Sequence, residues 1–328
     1  MPSSPSFIPL RVKSSLPQEI AAWYEDLNLE KVRVRRPSKF LFLCGGAQEP
    51  NNEARAANLR DYLLRVRPIK TKHSIVLAEE ANQLYRDTGY NDLISFEEDI
   101  ARIAAIVLVI AESAGSLAEL GAFTANDTIR KALRVVIPSH HEVAESFVRY
   151  GPIERLKKEN RENLGVYPWT QHATGKLNVS SAKPHYRELV SFINGHLDAV
   201  GKSTLYRKLD AAENFYTIYW VIHLSIAIST RVLQDCIRLL VPGITDTEIR
   251  NKIFCMQLAK WIGRLSYSGK DYFFALVDDE PFDYSYKSGV NETLTVRRKM
   301  VVHEALRKTE IIPKYVLKQA ASARVAKL

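Results

Sequence analysis

The sequence predicts an α/β protein built on a doubly wound parallel sheet, followed by a mainly helical module. Two observations predict the sheet. Short apolar runs alternate with helix-like segments over the first 200 residues, and the run at 105–110 is apolar on both faces, as in a central parallel strand. A third observation predicts the second module, because aromatic-rich helical segments replace this alternation after Gly201. The length of 328 residues also favours about two domains.

Each predicted strand is followed by a helix-like segment, the repeat of a doubly wound fold. Strands are predicted at 40–44, 74–78, 105–110, 134–137 and, at an edge because of Pro168, 166–169. Helices are predicted from Asn51 or Asn52 to 66, over 95–103 and 116–133, and over 185–200. Ligands of such sheets bind beyond the carboxyl ends of the strands, so we expect the chemistry at that edge.

After Gly201 the order of elements changes. Helices are predicted over 204–214, 215–229, 231–240 and from Thr245 or Asp246 to 262, and a β-hairpin turns at Ser268-Gly269. This order is typical of a winged helix, which binds nucleic acid in some proteins and serves as a dimer or docking module in others. The predicted domains are an N-terminal extension (1–37), the α/β domain (38–200), a winged-helix-like domain (201–290) and a basic C-terminal tail (291–328).

Positive charge is concentrated near the end of the sequence. Residues 297–328 hold nine Lys and Arg against two Glu, and so carry +7 of the net charge of +9, while residues 201–296 are neutral. Such a segment is typical of contact with nucleic acid, and equally of a solvated tail. The candidate contacts to nucleic acid are Arg297, Arg298, Lys299, Arg307 and Lys308.

Composition argues against several classes of protein. The cysteines Cys44, Cys236 and Cys255 are scattered and form no CxxC pair, which argues against a structural zinc site and a disulfide framework. The first residues lack the apolar core of a signal peptide, and no apolar run reaches the roughly 20 residues of a membrane span. We therefore expect no metal, no membrane association and a location in the reducing cytoplasm.

The residues that favour chemistry follow the central strand. Ser113, Gly115 and Ser116 form a loop that opens a helix, where free N–H groups favour a phosphate or a carboxylate. Glu119 lies one turn into that helix, and the helix dipole is expected to keep it ionised, as a nucleophile requires. Ser116-x-x-Glu119 is also a capping box, in which Glu119 would only bond to its own helix. Spacing alone favours this second interpretation.

Motifs elsewhere in the chain change that judgement. The glycine-ended first strand at Cys44-Gly45-Gly46, the acidic Glu97 one helix before the central strand, and Glu119-Leu-Gly121 resemble the nucleoside deoxyribosyltransferase-like superfamily. The resemblance is closer to one branch, the effector proteins of type II retron anti-phage systems. It rests on four motifs in order, Phe42-Leu-Cys-Gly-Gly46, Glu112-Ser-Ala-Gly-Ser116, Glu119-Leu-Gly-Ala-Phe123 and Tyr150-Gly-Pro152.

The resemblance covers residues 38–200, and the remainder only in architecture. It implies that Glu119 is the catalytic carboxylate of an N-glycosidase and that Glu97 orients the sugar or assists it. The sequence departs from the superfamily at Ala105, where many members carry Asp, and at Glu97, where Asp is commoner. The implied substrate contacts are Cys44, Gly45, Gly46, Glu79, Ser113, Gly115, Ser116 and Tyr150.

The chemistry of C1′–N cleavage narrows the expected substrate. A carboxylate can stabilise or trap the oxocarbenium-like state. A neutral purine leaving group also needs a proton donor, whereas nicotinamide leaves NAD from a nitrogen that is already cationic. No acid stands beside Glu119 in the sequence, although Glu97, Glu79 or Glu112 could supply one in space. This favours NAD as the substrate, with no cofactor.

The resemblance also implies partners. These are a reverse transcriptase and its RNA-linked DNA (msDNA), which hold the enzyme inactive until phage infection, and an oligomeric assembly. Two rival functions remain open at this point. One is a housekeeping nucleoside or deoxynucleotide glycosidase or transferase, which would need no C-terminal module. The other is a catalytically silent nucleotide sensor with a DNA-binding winged helix.

Overall fold

The computed structural model describes residues 15–49, 55–80, 88–209, 212–290 and 295–325. The chain divides into two compact units. The first unit contains residues 36–203 and 250–260, and the second contains the described parts of 1–35, 204–249 and 261–328. The predicted caps Asn51 and Asn52 and the first 14 residues of the predicted extension lie outside the described residues.

The described strands and helices are numbered here in chain order. The strands are β1 (Arg33–Arg35), β2 (Phe40–Cys44), β3 (Ser74–Leu77), β4 (Ile106–Ile110), β5 (Leu133–Pro138), β6 (Leu164–Tyr167), β7 (Ser203–Leu205), β8 (Ile228–Ser229), β9 (Ile262–Tyr267), β10 (Lys270–Ala275) and β11 (Phe282–Asp283). The helices of the first unit are α2 (Leu59–Asp61), α3 (Leu93–Ile103), α4 (Ala114–Ala125), α5 (Asp127–Ala132), α6 (Ser139–Val143), α7 (Glu154–Asn160), α8 (Val179–Ala182) and α9 (Tyr186–Ala199). The second unit contains α1 (Leu16–Glu25), α10 (Glu213–Leu224), α11 (Thr230–Leu240), α13 (Thr295–Thr309) and α14 (Lys314–Val325), and both units share α12 (Asp246–Leu258).

A five-stranded parallel sheet forms the core of the first unit. Its order is β3-β2-β4-β5-β6, and Cys44 at the end of β2 lies opposite Val109 of β4. All five residues of β2 and of β4 are buried, which explains why both sequences are apolar without alternation. The predicted parallel α/β sheet is confirmed, including the edge position of β6. The strand order reverses between β2 and β4, which is where open α/β sheets bind ligands.

Some helices of the first unit differ from the predicted bounds because polar side chains cap them elsewhere. Helix α2 begins after Asn58, whose side chain accepts a hydrogen bond from the Asp61 N–H, and a π-helical turn continues it through Tyr62–Val66. Helix α3 begins after Asp92. The predicted helix over 116–133 is two helices, because the Asn126 side chain accepts from the N–H groups of Thr128 and Ile129 and starts α5.

The second unit contains two small sheets. Strands β11, β1 and β7 form one, so the helix predicted over 204–214 is wrong at its start, where residues 204 and 205 belong to β7 and α10 begins only at Glu213. The other has the order β8-β10-β9, in which β10 pairs antiparallel with both neighbours. The predicted hairpin turn is confirmed, since Ser268 and Gly269 have φ values of 50° and 74°, as a two-residue turn of this kind requires.

Segments from both ends of the described chain form part of the core of the second unit. The Trp23 ring of α1 lies 5.4 Å from the Trp220 ring and 5.1 Å from the Tyr284 ring. Val316 and Ala320 of α14 are buried in a cluster with residues of β10. The basic C-terminal segment is therefore helical and packed where it is described. Among the described helices, none has the length and apolar character needed to cross a bilayer.

Candidate active site

Three predicted site residues meet where the strand order reverses. The sulfur of Cys44 and one carboxylate oxygen each of Glu97 and Glu119 lie within 4.8 Å of one another. Cys44 ends β2, Glu97 belongs to α3, and Glu119 belongs to α4, so three elements that are separated in the chain bring them together. The predicted pairing of Glu97 with Glu119 in space is thus realised in the geometry. Their catalytic roles remain predictions.

The N-terminus of α4 is capped without Glu119. Ser113 is the N-cap, and its hydroxyl accepts from the Ser116 N–H at 3.2 Å, while the Ser116 hydroxyl accepts from the Ser113 N–H at 2.9 Å. The capping box therefore pairs Ser113 with Ser116, and the interpretation of Glu119 as a capping residue is wrong. Glu119 Oε2 is buried and has no hydrogen-bond partner among the described residues. Such a group in a folded protein calls for a ligand or bound water as its partner.

Burial changes the protonation of this cluster. It raises the pKa of Glu119 to about 7, with Arg60 opposing the rise and Glu79 adding to it. Burial and the neighbouring Glu119 raise the pKa of Glu97 to about 8. Desolvation thus acts against the helix dipole that is expected to keep Glu119 ionised, and the ionised state of Glu119 in the mechanism remains a prediction. Near neutral pH the pair holds about one negative charge, with the remaining proton favouring Glu97.

Arg60 was not predicted as a site residue, yet it lies beneath the cluster. Its side chain is only 2% exposed, and it donates to the carbonyls of Leu43 and Gly46 and to both carboxylate oxygens of Glu79. A Cβ atom at Gly45 would come within 2.8 Å of the Arg60 side chain. Gly45, which directly follows β2, therefore leaves room for the Arg60 side chain. Glycines at that place were the only signal in the sequence.

Glu112 is one of the three acids that the sequence offered as a proton donor near Glu119, and its carboxylate accepts hydrogen bonds from the backbone. It follows β4, and its carboxylate accepts from the backbone N–H groups of Leu59 at 2.6 Å and Arg60 at 2.9 Å. It thus holds the first turn of α2, from which Arg60 reaches the cluster. Burial raises the pKa of Glu112 to about 7, although these backbone donors oppose the rise.

The remaining predicted substrate contacts differ in their exposure and in their hydrogen-bond partners. Glu79 pairs with Arg60, and its side chain is 38% exposed. The hydroxyls of Ser113 and Ser116 form hydrogen bonds within the cap of α4, and Gly115 between them is exposed. Tyr150 lies in a π-helical turn after β5 and is 58% exposed, with the Arg149 guanidinium 4.9 Å from its ring centre. Their contacts with a substrate remain predictions.

The cluster also has the composition of a small metal site, with one sulfur and two carboxylates. A thiol and a carboxylic acid must lose their protons to bind a metal. Burial and the two carboxylates hold the pKa of Cys44 well above its usual range, and Glu97 is raised as well. The donors therefore favour protons over a cation near neutral pH. The expectation of a metal-free enzyme remains a prediction, which turnover in the presence of a chelator would test.

The five predicted nucleic-acid contacts lie on α13 of the second unit. Arg298 pairs with Asp26, Lys299 with Glu280 and Lys308 with Glu304. Arg297 and Arg307 are exposed. Internal ion pairs therefore engage three of the five side chains, and contact with nucleic acid remains a prediction for all of them.

Comparison with known proteins agrees with this geometry at the level of the family. The model of the family described as STM3845 retron effector protein matches residues 56–264, which include Glu97, Glu119 and the whole of α12. The chain belongs to this retron effector family. The family match shows the retron association that the motifs implied, while the likeness to deoxyribosyltransferases in detail remains a prediction.

Two relatives from Escherichia coli are similar over part of their length. The effector is 27% identical over 172 residues to "Retron Ec86 putative ribosyltransferase/DNA-binding protein", which is 52% of this chain and 49% of that protein. It is 29% identical over 194 residues to "Retron Ec73 putative ribosyltransferase/DNA-binding protein", which is 57% of this chain and 61% of that protein. The chain thus spans about half to three fifths of these relatives.

Proposed function

We propose that this retron effector hydrolyses the N-glycosidic bond of a nucleotide, with Glu119 as the central carboxylate and Glu97 as its assistant. One observation carries the proposal: Glu119 Oε2 is buried without a hydrogen-bond partner among the described residues, and the Glu119 carboxylate lies beside that of Glu97 where the sheet reverses its strand order. The names of the two Escherichia coli relatives, which mention ribosyl transfer, support the same class of chemistry. The deoxyribosyltransferase-like motifs of the sequence support it further.

The proposed reaction breaks the C1′–N bond, and the bonding electron pair leaves with the base. Ionised Glu119 stabilises the oxocarbenium-like sugar or traps it as an ester, and water then attacks C1′. With a leaving base that needs a proton, Glu97 donates its proton and afterwards accepts one from the attacking water. With nicotinamide, Glu97 stays protonated, and the Glu119 carboxylate accepts the proton of the water as it is released from the sugar. The separation of the two pKa values, about 7 and about 8, favours this division of roles.

NAD+ is the proposed first substrate, because its nicotinamide leaves without a proton. A nucleoside or deoxynucleotide, which the sequence left open, is the second candidate substrate. An acid, Glu97, stands beside Glu119, and so a neutral base in a nucleoside or deoxynucleotide also has a proton donor. The housekeeping glycosidase or transferase chemistry therefore stays a rival of NAD+ hydrolysis.

A substrate panel separates these candidates. The purified protein is incubated with NAD+, deoxynucleotides and nucleosides, and Glu97→Gln and Glu119→Gln are measured in parallel. If nicotinamide is the leaving group, Glu97→Gln should lower kcat about tenfold, or about 1.4 kcal/mol in the barrier. If a neutral purine leaves, the loss should be several times larger. Absence of cleavage in the whole panel would favour the silent nucleotide sensor.

We further propose that the cleavage is the toxic output of a retron. A reverse transcriptase and its RNA-linked DNA would hold the effector inactive until infection, within an oligomeric assembly. Adding the purified reverse transcriptase–DNA complex to active effector should then suppress turnover at least tenfold. Turnover that is unaffected by a stoichiometric complex would contradict this role.

The second unit supports a docking function. Its order of α10, β8, α11, α12 and the β9–β10 hairpin, with the sheet order β8-β10-β9, is the order of a winged helix, and we propose that it is one. Arg297→Glu with Arg307→Glu should weaken binding to the reverse transcriptase–DNA complex and reduce its dependence on salt. Arg238→Glu, on α11 of the same unit, is the matched control. If affinity depends on salt equally in the wild type, the double variant and Arg238→Glu, then Arg297 and Arg307 do not contact the nucleic acid.

A further inference from the structure

The second half of α12 belongs to the first unit and reaches the segment before α3. The Gly89 N–H donates to Asn251 Oδ1 at 2.9 Å, and the Tyr90 hydroxyl lies 3.2 Å from Cys255 Sγ. Lys252 Nζ lies 3.5 Å from Asp99 Oδ1. Three side chains within about one turn of the same helix therefore contact residues on both sides of Glu97 in the sequence.

These contacts continue into α3 itself. The Tyr90 hydroxyl donates to Asp99 Oδ2 at 2.8 Å, so Asp99 joins Tyr90 and Lys252. Phe96, next to Glu97, is fully buried, and its ring lies 5.8 Å from Phe254 of α12 and 5.6 Å from Tyr90. A polar contact two residues after Glu97 and an aromatic contact one residue before it thus fix the position of α3.

The burial of α12 is unusual for a helix at this place in a winged helix. In that fold the corresponding helix reads DNA and needs an exposed polar face. Here Asn251 and Lys252 are each 8% exposed, and Cys255 is fully buried. Every residue from 251 to 259 is buried or half-buried. The polar side chains of this part of the helix make their contacts within the first unit, which contains Glu97 and Glu119.

We propose that α12 is a positioning element of the active site, in which Asn251, Lys252 and Cys255 hold Tyr90 and Asp99 and so set the place of Glu97 beside Glu119. The helix is then part of the catalytic machinery and does not read nucleic acid. This inference rests on the proposed function, because it assigns α12 a role in the same glycosidic cleavage.

Two conservative variants test the proposal. Tyr90→Phe keeps the ring on Phe96 and removes the hydroxyl that joins Asp99 to Cys255, and Lys252→Met keeps the stem and removes the charge. Each should lower kcat about tenfold and change KM less than threefold, since α3 carries Glu97 and not the main substrate contacts. Lys252→Arg, which restores the charge, should recover most of kcat. Lys157→Met is the control, because it removes a comparable half-buried ion pair, with Glu142, from another helix of the unit.

The pH dependence of kcat separates positioning from general loosening. The Glu97 carboxyl faces Glu119 from α4 and the Cys44 thiol from β2. If α12 releases α3, water reaches Glu97 and its pKa falls toward the ordinary value, so the alkaline limb that a substrate with a neutral leaving base shows should move to lower pH. The limb should stay in place for Lys157→Met. If Tyr90→Phe and Lys252→Met keep the kcat and the pH profile of the wild type, the proposal is overturned. It is also overturned if these variants lose affinity for DNA while kcat stays unchanged.

Hydrogen exchange keeps this test separate from the proposed function. Exchange of the amides of residues 93–103 should be at least tenfold faster in Tyr90→Phe and Lys252→Met than in Lys157→Met. If the wild-type protein cleaves nothing in the panel, the proposed function fails, while this exchange still decides whether α12 holds α3. Unchanged exchange in both variants would contradict the positioning role.

Discussion

Glu112 and Glu119 are two buried carboxylates on either side of the same loop, and they differ in what surrounds their oxygens. Burial raises the pKa of both to about 7. Glu112 accepts two backbone N–H groups, from Leu59 and Arg60, whereas Glu119 Oε2 has no partner among the described residues. A raised pKa therefore does not distinguish a structural carboxylate from a reactive one. The two carboxylates are distinguished by whether their oxygens accept hydrogen bonds from the protein.

The largest expected effect is on the rate and comes from Glu119→Gln. Removal of the unpartnered carboxylate should lower kcat at least a thousandfold, about 4 kcal/mol in the barrier. The melting temperature should stay within a few degrees of wild type, because Ser113 and Ser116 cap α4 without Glu119. A turnover assay measures kcat, and thermal unfolding of the same preparation measures the melting temperature. A folded variant with wild-type kcat would remove Glu119 from the mechanism.

The second effect is on stability and comes from Glu112→Gln. An amide offers one oxygen to the two N–H groups of α2 and brings two donors of its own. The free energy of unfolding should fall by about 1–3 kcal/mol, while kcat per folded molecule falls less than tenfold. Chemical denaturation followed by activity measurement on the folded fraction checks this. A thousandfold loss of kcat at unchanged stability would reverse the two roles.

The smallest effect is a pH-dependent gain in stability from Glu97→Gln. The folded-state pKa of Glu97, about 8, lies above its usual 4.5, so the native state favours the neutral form. This stabilisation is fully present below pH 4.5 and is lost as pH rises through 8. The glutamine variant should therefore match wild type near pH 5 and exceed it at pH 9 by roughly 1 kcal/mol, after allowance for water entry. Parallel thermal melts at both pH values test this, and equal differences at the two pH values would contradict it.

The sequence predicted the sheet well because its buried strands are unbroken apolar runs, as in β2 and β4. It also predicted that chemistry follows β4, since the fold directs ligands to that edge. The pairing of Glu97 with Glu119 came from the resemblance, and the geometry places the two carboxylates together. The predicted ends of helices were wrong where a polar side chain, which the apolar pattern does not reveal, caps a helix, as Asn126 does.

The sequence could not show which polar residues meet across the fold. Arg60 lies in a helix whose pattern predicted only an apolar face, and its contacts with Glu79 and two carbonyls depend on the packing of three elements. Likewise, nothing in the order of elements predicted that the second half of α12 joins the first unit. Long-range hydrogen bonds of this kind leave no periodic signal in a single sequence.

The pH dependence of kcat/KM tests the central claim most directly, because it reports the ionisation of groups in the free enzyme. The account requires ionised Glu119 with every substrate and, where the leaving base is neutral, protonated Glu97 as its proton donor. The profile should therefore rise through a pKa of about 7 on the substrate that the panel identifies and, for a neutral leaving base, fall through one of about 8, with the acid limb missing in Glu119→Gln. A flat profile from pH 5 to 9, or a single limb near 4.5, would contradict the account.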